Sequence, residues 1–413
     1  MRRSVLAVMG ALLVSGAAAA QDVATPRGLP STAQAVAWID RDPAVVEARR
    51  ALDAAGHGAA VLAAGTHEWT ARGSTQRRNV AGAGSTTEWS VGVERGVRIG
   101  GKAGLDRRLG EVQLEIGRAH VGEARHETAR ALSDLWLNWL AAHGAQALLN
   151  EQLSFAEANL AAVDRRRRAG DASALDSSIA QSDLAEVRRQ AHQADSNVAK
   201  ARAKLRLRFP EAPLEPAALA DPTGPMWPAA RWRERIMAEA DPLKAAEARL
   251  HRAELAASRT RADKLPDPTV GVFTSTEAFR NERVVGISLS IPLGGTVRDL
   301  RLQQALLEAE IARAALDRAR QGIEIDIAET HADAVGGFER WRIAERGAEA
   351  ARESARLTQR AYTLGEVDLQ SLLLVRRQTL EALRAAGDAR AEALRWNYRL
   401  LIDAHMIWDL AND

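Results

Sequence analysis

The side chains that most often carry chemistry are present in this sequence, but they are not arranged to perform it. Its nine histidines are scattered. His120 and His126 stand six apart, which puts them on different faces of a helix, and no HExxH or acid–histidine cluster goes with them. Gly100-Gly101 and Gly294-Gly295 could bring backbone close to a phosphate, yet neither has the Lys-Ser/Thr or the spacing of a nucleotide cradle. No Ser/His/Asp set and no paired carboxylates stand near a cleft-forming stretch. The sequence therefore predicts no enzyme, no cofactor and no resident metal. Lys+Arg (56) and Asp+Glu (54) nearly balance to a net charge of +2, so bulk charge does not call for nucleic acid. The arginines mostly share their stretches with Asp and Glu, the pattern of a solvated helix face. With no cysteine, the chain has no disulfide, no thiol chemistry and no acyl-cysteine anchor to offer.

The pattern that does stand out is architectural. In RVVGISLSIPLGG, Val285, Ile287, Leu289, Ile291 and Leu293 alternate with Gly286, Ser288 and Ser290 before a Gly-Gly break. That is a period-two strand, apolar on one face and small or polar on the other. From Val297 a very long polar helix begins with no proline inside it. The same joint occurs earlier, where EWSVGVERGVRIGG runs into another long helix. Arg95 falls on the apolar face of that strand, so this end is expected to lie outside lipid. Trp69, Trp89, Phe273 and Phe279 fall in the strand pairs, where a membrane interface and ordinary strand packing are equally good explanations.

Three landmarks recur in order. Asp42-Pro43 and Asp241-Pro242 are 199 apart, Gly100-Gly101 and Gly294-Gly295 are 194 apart, and Gly170 and Gly365 are 195 apart. This is an internal duplication. Each Asp-Pro can cap a helix, with Asp as N-cap and Pro at the first helical position, and each follows a short helical run carrying Trp38 or Trp232. The expected unit is a short helix, a helix (about 43–64 and 242–264) and two strands (about 66–78 and 88–99, then 268–279 and 283–293). A helix of more than sixty residues (about 102–168 and 297–363), a Gly turn and a return helix (about 174–208 and 368–404) complete it. The chain divides into a signal peptide (1–20), a first repeat (21–209), a Pro-rich linker (210–228) and a second repeat (229–413). The leader has Arg2 and Arg3, an apolar stretch from Val5 to Val14 and small residues to Ala20, as an export signal requires. Beyond it no stretch is long and apolar enough for a membrane helix.

Aromatics are only 4% of residues, which argues against a large aromatic core and for long helices with narrow seams. Leu135, Trp139, Ala142, Gln146, Leu149, Leu153, Ala156, Leu160 and Val163 step by three and four. Ala180, Leu184, Val187, Ala191, Ala194, Val198, Ala201 and Leu205 do the same on the return, predicting an antiparallel helical hairpin. Leu369, Leu373, Leu380, Leu383, Leu394 and Leu401 give the second hairpin a seam interrupted by Arg376. Four strands per chain cannot close a membrane barrel, which needs ~8 or more, so several chains must pool theirs. Strand arithmetic leaves two copies and three copies both open.

The doubled joints VGVERGVRIGG and VGISLSIPLGG, the LPDP entry at Leu265–Pro268, and the turns RRAGDASALD and AYTLGEVDLQ resemble the TolC-like outer-membrane efflux channel family over about 32–405. The compact halves and the IPLGG and IGGK joints look most like its heavy-metal branch, the outer component of cobalt–zinc–cadmium-type export systems. The resemblance implies a mainly α fold with a small membrane β-barrel part. A homotrimer would build a twelve-strand barrel in the outer membrane and a long periplasmic α-helical barrel. It implies a passive duct docked by a periplasmic adaptor and an inner-membrane pump of the RND type. It also implies roles at the hairpin tips. Tyr362 matches a gating tyrosine and Asp176 an aspartate it can bond to across neighbouring hairpins. Gly170, Asp171, Gly365 and Glu366 fall where the adaptor is expected to touch. Ser371 and Leu374 replace the family's acidic pair and Val367 replaces a gating arginine, leaving Asp368 or Glu366 to supply negative charge at the mouth.

Two other readings compete with the export duct. A periplasmic adaptor also has a helical hairpin, but one hairpin between small β-domains rather than two hairpins with strand pairs. A structural coiled-coil protein of the envelope needs neither alternating strands nor a duplication. Within the duct reading, heavy-metal cations are the expected cargo and drugs or other small molecules the alternative.

Overall fold

The computed structural model describes residues 25–65, 67–213, 215, 217–277, 281–408 and 410. The expected signal peptide and Phe279 lie outside the described residues. One unit of six elements occurs twice. The first is α1 (Thr32–Ile39), α2 (Pro43–Ala64), β1 (Thr70–Val80), β2 (Gly84–Gly96), α3 (Lys102–Arg168) and α4 (Ala174–Arg208). The second is α5 (Ala229–Glu239), α6 (Asp241–Ala262), β3 (Thr269–Glu277), β4 (Glu282–Ser290), α7 (Thr296–Leu364) and α8 (Leu369–Asp403). At 67 and 69 residues, α3 and α7 each reach ~100 Å at the usual helical rise.

The helix bounds follow the sequence pattern closely, and the strand bounds differ. The first hairpin is longer than expected toward its turn: Asn79 and Val80 of β1 and residues 84–87 of β2 are in the ladder, where a loop is expected. Gly82 and Gly84, at φ 83° and 90°, supply the left-handed backbone of this turn. Its flanks are polar, so apolar alternation could not reveal them. At the other end β4 stops at Ser290, because Pro292 has no N–H for a ladder. The two Asp-Pro pairs also part company. Asp42 caps α2 by accepting from the Ala44 N–H at 3.0 Å, whereas Asp241 is already inside α6, with Ala240 at the cap.

The four strands form a single sheet in the order β1-β2-β3-β4, every pair antiparallel. The helical hairpins pack along the expected seams. Leu149 meets Ala191, Ala194 and Leu380, and nearer the turns Val163 meets Ala180, Leu369 and Leu372. Thus α8 lies against the first hairpin as well as against α7. Arg376 breaks the second seam by stacking on Phe155 and donating to Gln359 at 2.8 Å; burial pushes its guanidinium down to about 10. Halfway along α3, where α4 and α8 end, the expectation of no large aromatic core fails locally. Trp38, Trp136, Trp139, Trp232 and Trp408 are buried together with Tyr398 and Phe209. The Trp136 indole N–H donates to the Gly28 carbonyl at 2.6 Å and the Trp408 indole to the Pro30 carbonyl at 3.1 Å. The scarce aromatics are concentrated at this waist, where both short helices meet the segments just before α1 and just after α8.

Candidate functional site: the sheet faces and the hairpin tips

The sheet has two chemically distinct faces. Cross-strand register places Val285, Ile287 and Leu289 of β4 beside Thr274, Val272 and Val270 of β3. Val91 and Val93 of β2 continue the row. These side chains are exposed, Ile287 at 78% and Val272 at 60%, a large apolar surface that no other described residue covers. The opposite face carries Ser90, Gly92, Gly271, Ser275, Gly286 and Ser288 around the Phe273 ring, with Arg72 paired to Glu94 and Arg78 to Glu88 (3.1 Å).

Curvature separates the same two faces. A Cβ added at Gly271 would come within 2.7 Å of Glu94 Cβ, and one at Gly286 within 2.6 Å of the Phe273 ring. A Cβ at Gly73, on the apolar side of the sheet, would meet nothing within 4 Å. Side chains crowd on a concave surface and spread on a convex one, so the small, polar face is the inside of the curve. At the lower end of the apolar face Arg95 lies 5.6 Å over the Trp69 ring and donates to the His67 carbonyl at 3.0 Å.

Where strand becomes helix, the two repeats are joined by buried charge. Lys102, only 1% exposed, donates to Asp267 Oδ1 and to the Leu265 carbonyl, both at 2.7 Å. Asp267 also accepts from the Ile99 N–H at 3.1 Å and sits 3.2 Å from His67 Nε2. Asp267 belongs to the LPDP segment, and its partners lie in the other repeat. Nearby Arg98 (2.8 Å) and Arg259 (2.6 Å) both hold Asp106. These contacts fix the angle between sheet and rods.

At the far end, Gly170 (φ 82°) and Gly365 (φ 76°) make the two turns. In each, the next residue's N–H returns to a carbonyl near the helix end: Asp171 to Arg166 and Glu366 to Ala361, both at 2.9 Å. The expected gate residues are not all brought together. Asp176 accepts from the Ser173 N–H (3.0 Å) and hydroxyl (2.8 Å) as part of a capping box on α4, and these bonds hold its carboxyl below the usual range. Asp368 caps α8 by accepting from the Ser371 N–H at 2.8 Å, with the same effect on its carboxyl. The Tyr362 hydroxyl accepts from Arg166 Nη1 at 3.3 Å, and the Arg166 guanidinium lies over its ring. Arg166 also donates to Asp171 Oδ2 (2.8 Å) and to its carbonyl (3.1 Å). One arginine thus ties the first turn to the second hairpin. Sequence reasoning missed Arg166 because it stands in a run of four arginines and its tyrosine is 196 positions away. Glu366 is exposed.

Among the described residues no group of three or more metal-ligating side chains could hold an ion, and no helix is long and apolar enough to cross a membrane. No protein-family model and no curated protein match the sequence. Solved structures do. The chain is similar to the outer-membrane channel OprN (19% identity, TM-score 0.77, 92% of this chain and 91% of that one). It is also similar to CusC, described in terms of transmembrane channel formation (15%, TM-score 0.74, 91% and 92%). A third similar structure is the MtrE outer membrane channel of Neisseria gonorrhoeae in its open state (18%, TM-score 0.72, 92% and 89%). The chain has the fold of TolC-like outer-membrane channels over nearly its whole length.

Proposed function

We propose that this chain is the outer-membrane duct of a tripartite export system. Three copies close their sheets into one twelve-strand barrel, and the long helices carry the pore through the periplasm. The observation that carries this reading is the match between chemistry and curvature in the sheet. The convex face is apolar, as lipid requires, and the concave face is small and polar, as a water-filled lumen requires. The outer strands β1 and β4 run in opposite directions, so β4 of one copy can pair antiparallel with β1 of the next. Closure then leaves no edge in the bilayer. Trp69 with Arg95 anchors the lower rim at the headgroups.

The tips at Gly170, Asp171, Gly365 and Glu366 receive the periplasmic adaptor, which links the duct to an inner-membrane pump. Tyr362, Asp176 and Asp368 belong to the closing end of the pore, with Tyr362 acting through Arg166. The cargo is heavy-metal cations, a reading supported by the IPLGG and IGGK joints. The test has two arms. Reconstituted in planar bilayers, the mature protein should give stepwise conductance and run as a heat-modifiable trimer; a detergent-free monomer would overturn the pore. A deletion strain should become sensitive to cobalt, zinc or cadmium. Sensitivity to dyes and drugs with unchanged metal resistance would reassign the cargo.

A further inference from the structure

Charge in the sheet is sorted by face. Alternation along the paired strands assigns Arg72, Arg78, Glu88, Glu94, Glu277 and Glu282 to the concave side. Both arginines there are matched, Arg72 to Glu94 and Arg78 to Glu88. The convex side takes Arg77, Arg95 and Arg283, and none of its strand positions is Asp or Glu. These three arginines are exposed, and among the described residues none has an ion pair. Arg77 donates to the Ser85 hydroxyl at 3.0 Å, Arg95 is tied to Trp69 and His67, and Arg283 makes no side-chain hydrogen bond among the described residues. A surface built only for water mixes the two signs. Like charges on one face without a counter-charge leave the opposite sign to be supplied from outside.

The heights of these arginines agree with their side. Arg95 stands at the helix end of the sheet. Above it on β1 and β2 come the convex pairs Ala71↔Val93, Gly73↔Val91 and Thr75↔Trp89, and then Arg77↔Thr87. On β3 and β4 the pairs Val270↔Leu289, Val272↔Ile287 and Thr274↔Val285 give way to Thr276↔Arg283. Val91 faces Thr274, so Thr276 and Arg283 continue the row of Trp89. The apolar band is therefore bounded below by Arg95 and above by Arg283 and Arg77. From Arg95 to Thr87 is ~27 Å of strand, or ~20 Å of height at a barrel tilt of ~40°. Outer-membrane barrels carry an apolar band of ~25 Å, and arginine side chains reaching outward at both margins make up the difference. Trp89, 38% exposed on the same face, sits where an interfacial aromatic belongs.

We propose that Arg77 and Arg283 form a phosphate-binding belt around the outer rim of the barrel, occupied by the phosphate groups of an anionic lipid of the outer leaflet. The inference rests on the trimeric-duct reading and adds the lipid that its outer rim selects. Three copies bring six guanidiniums to the rim, and each can meet a phosphate with two parallel hydrogen bonds. In the ring, β4 of one copy lies beside β1 of the next, so every joint between copies has an arginine on either side.

The test uses the full-length trimer in detergent and three probes: diphosphoryl lipid A, the same lipid with its phosphates removed, and inorganic phosphate. Diphosphoryl lipid A should raise the temperature at which the trimer dissociates, and the other two should not. Arg77→Gln/Arg283→Gln should weaken the apparent affinity about 25-fold, about fivefold for each arginine. Arg77→Lys/Arg283→Lys keeps the charge and should recover most of that loss, and Arg72→Gln on the concave face should leave the affinity unchanged. Should the double Gln variant fail to assemble, each single variant should still show its own loss of about fivefold. An equal response to the dephosphorylated lipid or to inorganic phosphate would overturn the belt, as would undiminished affinity in the Gln variants. A parent protein that forms no trimer would instead count against the duct.

Discussion

Single residues carry three separate risks. Lys102 is buried with Asp267, and removing one member of such a pair leaves the other charged and unsolvated. Lys102→Met should therefore cost about 3–5 kcal/mol, read as a lower thermal midpoint in detergent. Arg166 is the opposite case. Its side chain is 46% exposed, so Arg166→Gln should change stability by less than about 1 kcal/mol. It should nevertheless loosen the tip and raise resting conductance, because Tyr362 loses its hydroxyl partner. The third concerns His126 and His405, whose rings meet edge to face at 4.4 Å in the waist. Burial pushes His126 down to about 2 and His405 to about 4, with the positive charges of Arg130, Arg125, Arg235 and Lys244 helping and Glu239 opposing at His405. Their folded values lie below the unfolded value near 6.5, so above pH 6.5 both states are neutral and neither ring contributes. As pH falls through 6.5 the unfolded chain takes up protons first and stability drops, the His405 share levelling off near pH 4. Burial raises the carboxyls of Glu123, Asp241 and Asp403, which act in the other direction. The informative measurement is thus a difference. His126→Gln/His405→Gln should lose less thermal stability than the parent protein between pH 6.5 and 4.

At the scale of elements, the sheet makes the sharpest prediction. Ile287→Lys puts a charge on the convex face and should cost about 2–4 kcal/mol if it reaches the bilayer midplane, read as loss of the heat-modifiable form. Gly271→Leu should block assembly, because Glu94 and Ser288 already occupy that side. Gly73→Ala, with open space around it, should be tolerated. The two strand faces, the long helices and the turn glycines were legible in the sequence, since each is written in local periodicity or in a residue that permits positive φ. The rest required the third dimension. Asp267 reads as part of an LPDP turn, and nothing near it announces Lys102, 165 positions away. Asp176 and Asp368 each satisfy a helix start three residues from their partners, a local demand that competes with any reach toward another hairpin. The Asp241-Pro242 pair copies Asp42-Pro43 in letters but not in capping, because α6 begins one residue earlier.

The whole molecule combines a short sheet with rods of ~100 Å, a proportion suited to crossing two compartments rather than enclosing a substrate. Its largest core is at the waist, with smaller ones along the rods, and at the waist Trp408, after α8, bonds to Pro30, before α1. A variant ending before Met406 should therefore lose the fold of both repeats together, seen as a single cooperative loss of helical signal at lower temperature. The sheet order has a further result for the cell. In the proposed ring a copy without its neighbours carries one bare strand margin facing each way, and each margin can pair with a strand of the right direction. Such a copy is adhesive until its ring is complete, so a fragment containing only β1 and β2 should poison rings made by intact subunits.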